Sequence, residues 1–163
     1  MIGGPPVFAE EAPTERRHWH AVPADDLPDR LILFDGVCVL CSRWVAFVIR
    51  RDPAARYRFV AIQTPLGRRL AARFGIDPGE PETNVVIVDG RAWFKLESAL
   101  MVVRDFPGWR WTRAAYLLPK GLRDFLYDRI ARNRYRLFGR TDTCLVLAPD
   151  VVRRFLSDER ETD

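Results

Sequence analysis

The apolar pattern of the chain becomes regular at Arg30. Leu31–Ile32–Leu33–Phe34 is an unbroken hydrophobic run closed by Asp35–Gly36, which predicts a short strand buried on both faces. Before it, Met1 to Asp29 holds scattered prolines, paired acids and no sustained period; it reads as a flexible or surface-lying arm. After it, Cys41, Trp44, Val45, Val48 and Ile49 recur at i, i+3, i+4, i+7 and i+8, the stripe of one helix face. Arg43, Arg50 and Arg51 take other faces, and Asp52–Pro53 supplies the stop. Tyr57–Ala61 predicts a second strand, parallel to the first because a helix joins them. Thr64 as N-cap and Pro65 at the first helical position open another helix. Leu66, Leu70 and Phe74 stack along it before Gly75 ends it.

Asn84–Val88 and Arg91–Lys95 flank Asp89–Gly90, the strongest short hairpin signal, and a helix follows over about Ser98–Asp105. The order β-α-β-α-β-β-α is the thioredoxin arrangement, so the predicted class is α/β with a thioredoxin-like fold. From about Pro107 a helical extension runs to about Asn133. Its clearest apolar stripe is Leu122, Phe125, Leu126 and Ile130, with Asp128 and Arg132 as an exposed i,i+4 pair. Trp93, Trp109 and Trp111, with Phe94 and Phe106, are expected to roof this extension. The chain then divides into an arm over 1–29, a domain over 30–149 with the extension from about 107, and a charged tail over 150–163. Within that tail Val151, Val152, Phe155 and Leu156 could dock as a last helical turn.

At 163 residues and 48% hydrophobic, the chain can build one core and is too short for two full domains. No apolar run approaches the roughly 18 residues of a membrane span, and the N-terminus lacks the basic-then-apolar order of an export signal. The expected location is the cytoplasm, where disulfides are usually transient and catalytic. Three cysteines fit that setting: Cys38 and Cys41 are paired, and Cys144 stands alone. The net charge of +4 is unevenly placed, with ten Arg or Lys between Arg104 and Arg140 against Asp105, Asp124 and Asp128. Such a segment raises the question of an anionic partner. Arg129, Arg132, Arg134, Arg136 and Arg140 form a solvated face, or else meet an acidic protein or a membrane surface. No aromatic ladder or nucleic-acid motif accompanies them, so nucleic acid is not expected.

The candidate chemistry lies in Cys38–Val39–Leu40–Cys41. A cysteine is nucleophilic only as thiolate, and the first turn of a helix lowers its pKa through free N–H groups and the helix dipole. Cys38 sits where strand gives way to helix, so it is the expected solvent-reachable nucleophile. Cys41 belongs to the apolar stripe and is the expected shielded resolver of a mixed disulfide. Gly36 permits the tight turn before the pair. Asp35 has three open roles: accepting a proton from Cys41, capping the helix, or binding loop amides. Other readings compete: half a zinc site with Cys144, His18 or His20; two small buried hydrophobes; or a relic on a redox-dead module. Trp44 is core or substrate platform, and Cys144 is a third redox partner or a half-buried loop cysteine. The expected partners are a disulfide-containing protein or small thiol, with no bound cofactor. The alternative is a non-catalytic module that engages its partner through the basic, aromatic extension.

The residues also resemble a known family. Asp35-Gly36-Val37-Cys38-Val39-Leu40-Cys41 is similar to the D-x-x-C-x-x-C signature of the DCC family of thiol–disulfide oxidoreductases. Glu97-Ser98-Ala99-Leu100 resembles that family's post-hairpin helix. Its C-terminal region is matched by Pro119, Leu122-Arg123-Asp124, Tyr127, Ala131, Asn133-Arg134-Tyr135, Phe138-Gly139-Arg140 and Cys144. The resemblance spans about Arg30 to Pro149. It implies a thioredoxin-like fold with a helical C-terminal extension and a redox role for Cys38 and Cys41. Two departures from ordinary thioredoxins stand out: Val39–Leu40 contains no proline, and Glu82-Thr83-Asn84 occupies the usual cis-proline position. Thr83 is therefore the candidate residue opposite Cys38.

Overall fold

The computed structural model describes residues 19–140 and 149–156. A five-stranded sheet runs in the order β1-β5-β4-β2-β3, with β1 Val22–Pro23, β2 Leu31–Phe34, β3 Arg58–Ala61, β4 Val85–Val88 and β5 Arg91–Phe94. β2 and β3 are parallel, Leu31 opposite Arg58, while β4 pairs antiparallel with β2 and β5. The predicted crossover and hairpin are both present. Asp89 and Gly90 lie at φ 54° and 71°, the left-handed pair that a tight hairpin turn requires.

Alternation along the strands sorts the core onto two faces. Leu31, Leu33, Val60, Ile62, Val85 and Ile87 pack with Leu70 and Ala71 of α2 (Pro65–Arg73). Ile32, Phe34, Phe59, Val86 and Val88 pack with Val45 and Val48 of α1 (Val39–Arg51) and with Met101 and Val102 of α3 (Lys95–Val103). α2 starts as predicted: Thr64 Oγ1 accepts the Gly67 N–H at 3.0 Å, and Pro65 is its first residue. α3 begins earlier than its apolar pattern suggested, and α4 (Lys120–Phe138) runs farther, after a 3₁₀ helix over Arg110–Leu117. The result is a mixed α/β thioredoxin-like fold.

Both chain ends contribute to this fold more than expected. From residue 19 onward the N-terminal arm is ordered on the sheet: Val22 pairs with Ala92, Trp19 is buried, and its ring lies 5.0 Å from Phe94. A two-residue strand is too short to display a period, which is why its sequence reads as coil. At the other end, α5 (Pro149–Val152) leads into a turn alongside β3. Phe59 N–H donates to the Arg154 carbonyl and Leu156 N–H to the Phe59 carbonyl. Arg154, buried, donates to Asp52 Oδ2 at 2.6 Å. The tail expected from residue 150 is thus docked through Leu156. β1 covers the free edge of β5 and the C-terminal turn covers part of the β3 edge, where backbone groups would otherwise be unpaired.

The extension departs most from its pattern. Leu122, Phe125, Leu126 and Ile130 face outward, whereas Arg123 and Arg134 are buried. Asp128 does not pair with Arg132; it meets Lys95 Nζ at 2.8 Å. The five aromatics expected to roof the extension disperse: Phe94 and Phe106 enter opposite core faces, Trp93 and Trp109 are half-buried, and Trp111 stacks outside on Trp109.

Candidate active site

The strand–turn–helix junction after β2 carries the cysteine pair. Cys38 is the N-cap of α1 in extended conformation, and its Sγ accepts the Cys41 N–H at 3.3 Å. The Cys41 thiol also donates to Cys38, and this is the largest influence lowering the Cys38 pKa to about 7. Burial opposes the shift. The Cys41 amide and the Arg134 guanidinium assist it, and the Asp35 charge resists it. Cys41 moves the other way: its hydrogen bond to Cys38, its burial and the neighbouring thiolate all hold its proton on. Two thiols one turn apart are therefore divided into a ready thiolate and a retained thiol.

Accessibility is opposite to the expectation. Cys38 is fully buried and Cys41 is the partly exposed member. The reason lies far along the chain. After α4 the backbone turns at Gly139, φ 86°, and crosses the start of α1. The Val39 N–H donates to the Gly139 carbonyl at 3.4 Å, and Arg140 forms an antiparallel bridge with Cys38. This strap lies against the backbone of Cys38, a contact that the local sequence does not announce.

Asp35 is the hub of the site. It is buried, and Oδ1 accepts from the Val37 N–H at 3.1 Å and from Gln63 Nε2 at 2.8 Å. Oδ2 accepts from the Tyr135 hydroxyl and from Arg134 Nη2 at 3.2 Å. Of its three candidate roles, helix capping is excluded because Cys38 holds that position, and binding a loop amide is present. Gly36 is constrained by proximity, not by unusual backbone angles. A Cβ there would lie 3.0 Å from Gln63 Oε1 and 3.2 Å from the Ala61 Cβ, and Gln63 Oε1 accepts the Gly36 N–H.

A small cleft of about 50 Å³ opens beside the pair, lined by Asp35, Leu40, Cys41, Pro81, Thr83, Asn84, Tyr127 and Arg134 among others. Thr83 therefore shares space with Cys41, the more exposed sulfur. Its hydroxyl donates to the Asn84 carbonyl and accepts the Lys95 N–H at 2.7 Å, tying the run-in of β4 to the start of α3. Across the cleft the Tyr127 hydroxyl donates to Asn84 Oδ1 at 3.0 Å, and burial pushes its pKa up to about 12. Trp44 is half-buried, packs on the α1–α3 core and stacks on Phe47 at 5.6 Å, which matches the core reading. Cys144 and His18 lie outside the described residues. Among those residues no group of three or more His, Cys, Asp or Glu is placed to hold a metal.

Sequence reasoning missed Arg134, Tyr135 and Gln63. Arg134 belongs to the set of arginines expected on a solvated face, but it is buried: Nη2 also donates to the Pro81 carbonyl at 2.6 Å. The guanidinium groups of Arg134 and Arg140 lie 4.7 and 4.6 Å from the centre of the Tyr135 ring, close enough for cation–π attraction. The one available signal was the Asn133-Arg134-Tyr135 match in the family resemblance.

A dithiol at a helix start, on this sheet order and beside a buried carboxylate, defines the class: a thioredoxin-like member of a thiol–disulfide oxidoreductase family. The profile of the DCC1-like thiol-disulfide oxidoreductase family matches residues 32–140, and the chain belongs to that family. It is 37% identical over 134 residues to the uncharacterized protein YuxK of Bacillus subtilis (strain 168), covering 82% of this chain and 98% of YuxK. It is also 38% identical over 119 residues to a chloroplastic DCC family protein of Arabidopsis thaliana, covering 70% of this chain and 67% of the relative. No solved structure matches significantly.

Proposed function

We propose that the chain carries out thiol–disulfide exchange, with Cys38 as nucleophile and Cys41 as resolver. The observation that carries this reading is geometric: Cys38 caps α1 with its Sγ accepting the Cys41 N–H at 3.3 Å, an arrangement that lowers the Cys38 pKa and raises that of Cys41. The Cys38 thiolate attacks one sulfur of a substrate disulfide; that S–S bond breaks, and the departing sulfur leaves as thiolate and takes up a proton. Cys41 then gives up its proton and attacks Cys38 Sγ, forming the Cys38–Cys41 disulfide and releasing the second substrate thiol. Two electrons pass to the substrate, and the chain ends oxidised. Opposite electron flow runs the same steps backwards.

Asp35 tunes the pair electrostatically and holds the loop, and the small cleft beside Cys41 marks the side from which a substrate sulfur approaches. For attack to occur, the Gly139–Arg140 strap must lift from Cys38. Disulfide-containing proteins or small thiols are the proposed substrates, in a reducing compartment such as the cytoplasm where a CxxC pair cycles.

Burial of Cys38 favours the rival reading of a non-catalytic module, and one experiment separates the two. The Cys41→Ser protein, incubated with glutathione disulfide at pH 8, is expected to accumulate a mixed disulfide on Cys38, seen by intact-mass measurement and absent from Cys38→Ser. Complete inertness of Cys38 under these conditions, with the fold intact, would overturn the redox assignment.

A further inference from the structure

α4 is folded inside-out. The side it turns toward the domain is polar: Arg123, Tyr127, Asp128 and Arg134 contact Glu97, Asn84, Lys95 and Asp35. At helical spacing, Leu122, Leu126, Ile130 and Leu137 form one outward strip, each at least 43% exposed. The adjoining strip holds Phe125, Arg129, Arg132 and Arg136. The 3₁₀ helix before it adds Leu117 and Trp111, 87% and 69% exposed. Soluble surfaces rarely gather so many large apolar side chains without a purpose.

Charge narrows what covers them. The two acids of α4 are already paired, Asp128 with Lys95 of α3 and Asp124 with Lys120 one turn back on the same helix. The outward side of the helix therefore carries three guanidinium groups and no carboxylate. A second copy of the same face would bring arginine against arginine. An acidic protein would need apolar patches and carboxylates in matching register. An anionic bilayer surface needs no such register: phosphates lie above hydrocarbon everywhere, in the order these strips present. No helix among the described residues is long and apolar enough to cross a membrane, so the contact is one of lying on the surface.

We infer that the outer face of α4, with Trp111 and Leu117, docks on anionic lipid headgroups. Its aliphatic and aromatic side chains enter the headgroup–acyl boundary, and Arg129, Arg132 and Arg136 meet phosphates. The inference does not rest on the thiol chemistry, although Ile130 also lines the cleft beside Cys41.

The test is co-sedimentation of the full chain with vesicles of phosphatidylcholine alone or mixed with phosphatidylglycerol. Binding is expected to the mixed vesicles, to be weak on phosphatidylcholine, and to fall with added salt. Each arginine near a charged surface is worth roughly five-fold in partition, so the triple change R129Q/R132Q/R136Q should weaken binding about 100-fold. Leu126→Ser with Phe125→Ser should weaken it at least about ten-fold through lost apolar insertion. Because these positions are solvent-facing, circular dichroism of each variant should match the parent. No preference for anionic vesicles, or a dimer in solution that Phe125→Ser dissociates, would overturn the inference, the latter by assigning the face to self-association.

Discussion

α1 and α4 border the same site and are held to the molecule by opposite means. α1 buries Val45 and Val48 in the sheet and turns Arg43, Arg50 and Arg51 to solvent. α4 buries Arg123 and Arg134 and turns leucines out. The first attachment is driven by removal of apolar area from water. The second depends on pairing charges across a distance, Arg134 with Asp35, Arg123 with Glu97 and Asp128 with Lys95. Buried ion pairs contribute little net stability relative to apolar replacements, but breaking one leaves an expensive orphan charge. The inward side of α4 thus serves less to stabilise the domain than to deliver a guanidinium and a phenol to the carboxylate beside the dithiol.

The largest effect should come from Arg134→Met, which leaves Asp35 buried without its cation. A loss of about 3–5 kcal/mol in urea unfolding is expected, together with a rise in the Cys38 pKa, since Arg134 helps to lower it. Arg132→Met on the outer side of the same helix should stay within about 0.5 kcal/mol. Equal losses for the two would erase the contrast between the faces of α4. Val48→Ala removes two methyl groups from the fully buried side of α1 and should cost about 2 kcal/mol. Salt should change neither cost much, because Val48 carries no charge and the Arg134–Asp35 pair is buried away from screening ions.

The third prediction concerns pH. In the reduced chain the Cys38 thiolate should be present above a midpoint of about 7 and disappear as pH falls through it, read by ultraviolet thiolate absorbance. Cys41→Ala removes the principal donor, so the midpoint should rise toward the ordinary thiol value near about 8.5. An unchanged midpoint would shift the credit to Arg134 and the helix amide. The smallest effect belongs to Leu126→Ser. This change on the outward strip should move stability by no more than about 0.5 kcal/mol, although the same replacement in a core would cost several times as much.

Much of the fold could be read from neighbouring residues. The apolar run at Leu31, the Thr64–Pro65 start and the Asp89–Gly90 turn are each set by groups a few positions apart, and each stands where predicted. The α1 stripe named its own buried face correctly. The same reasoning failed on α4, because periodicity reports that a helix has an apolar side without saying which side meets the domain. It also failed on residues 19–29, a short segment that gains its structure from a sheet edge made elsewhere, while at 151–156 it offered docking without naming β3 as the place.

At the site, the order of the cysteines and their place at a helix start were legible. The burial of Cys38 and the company of Asp35 were not. Asp35 and Tyr135 are 100 residues apart, and the strap over Cys38 comes from Gly139–Arg140. The sequence by itself determined the strands, the turn and the dithiol at the head of α1, because these depend on short-range sterics and spacing. Only the tertiary structure decided which sulfur is covered and which face of α4 looks outward, because both follow from contacts that exist once distant segments have closed on the sheet.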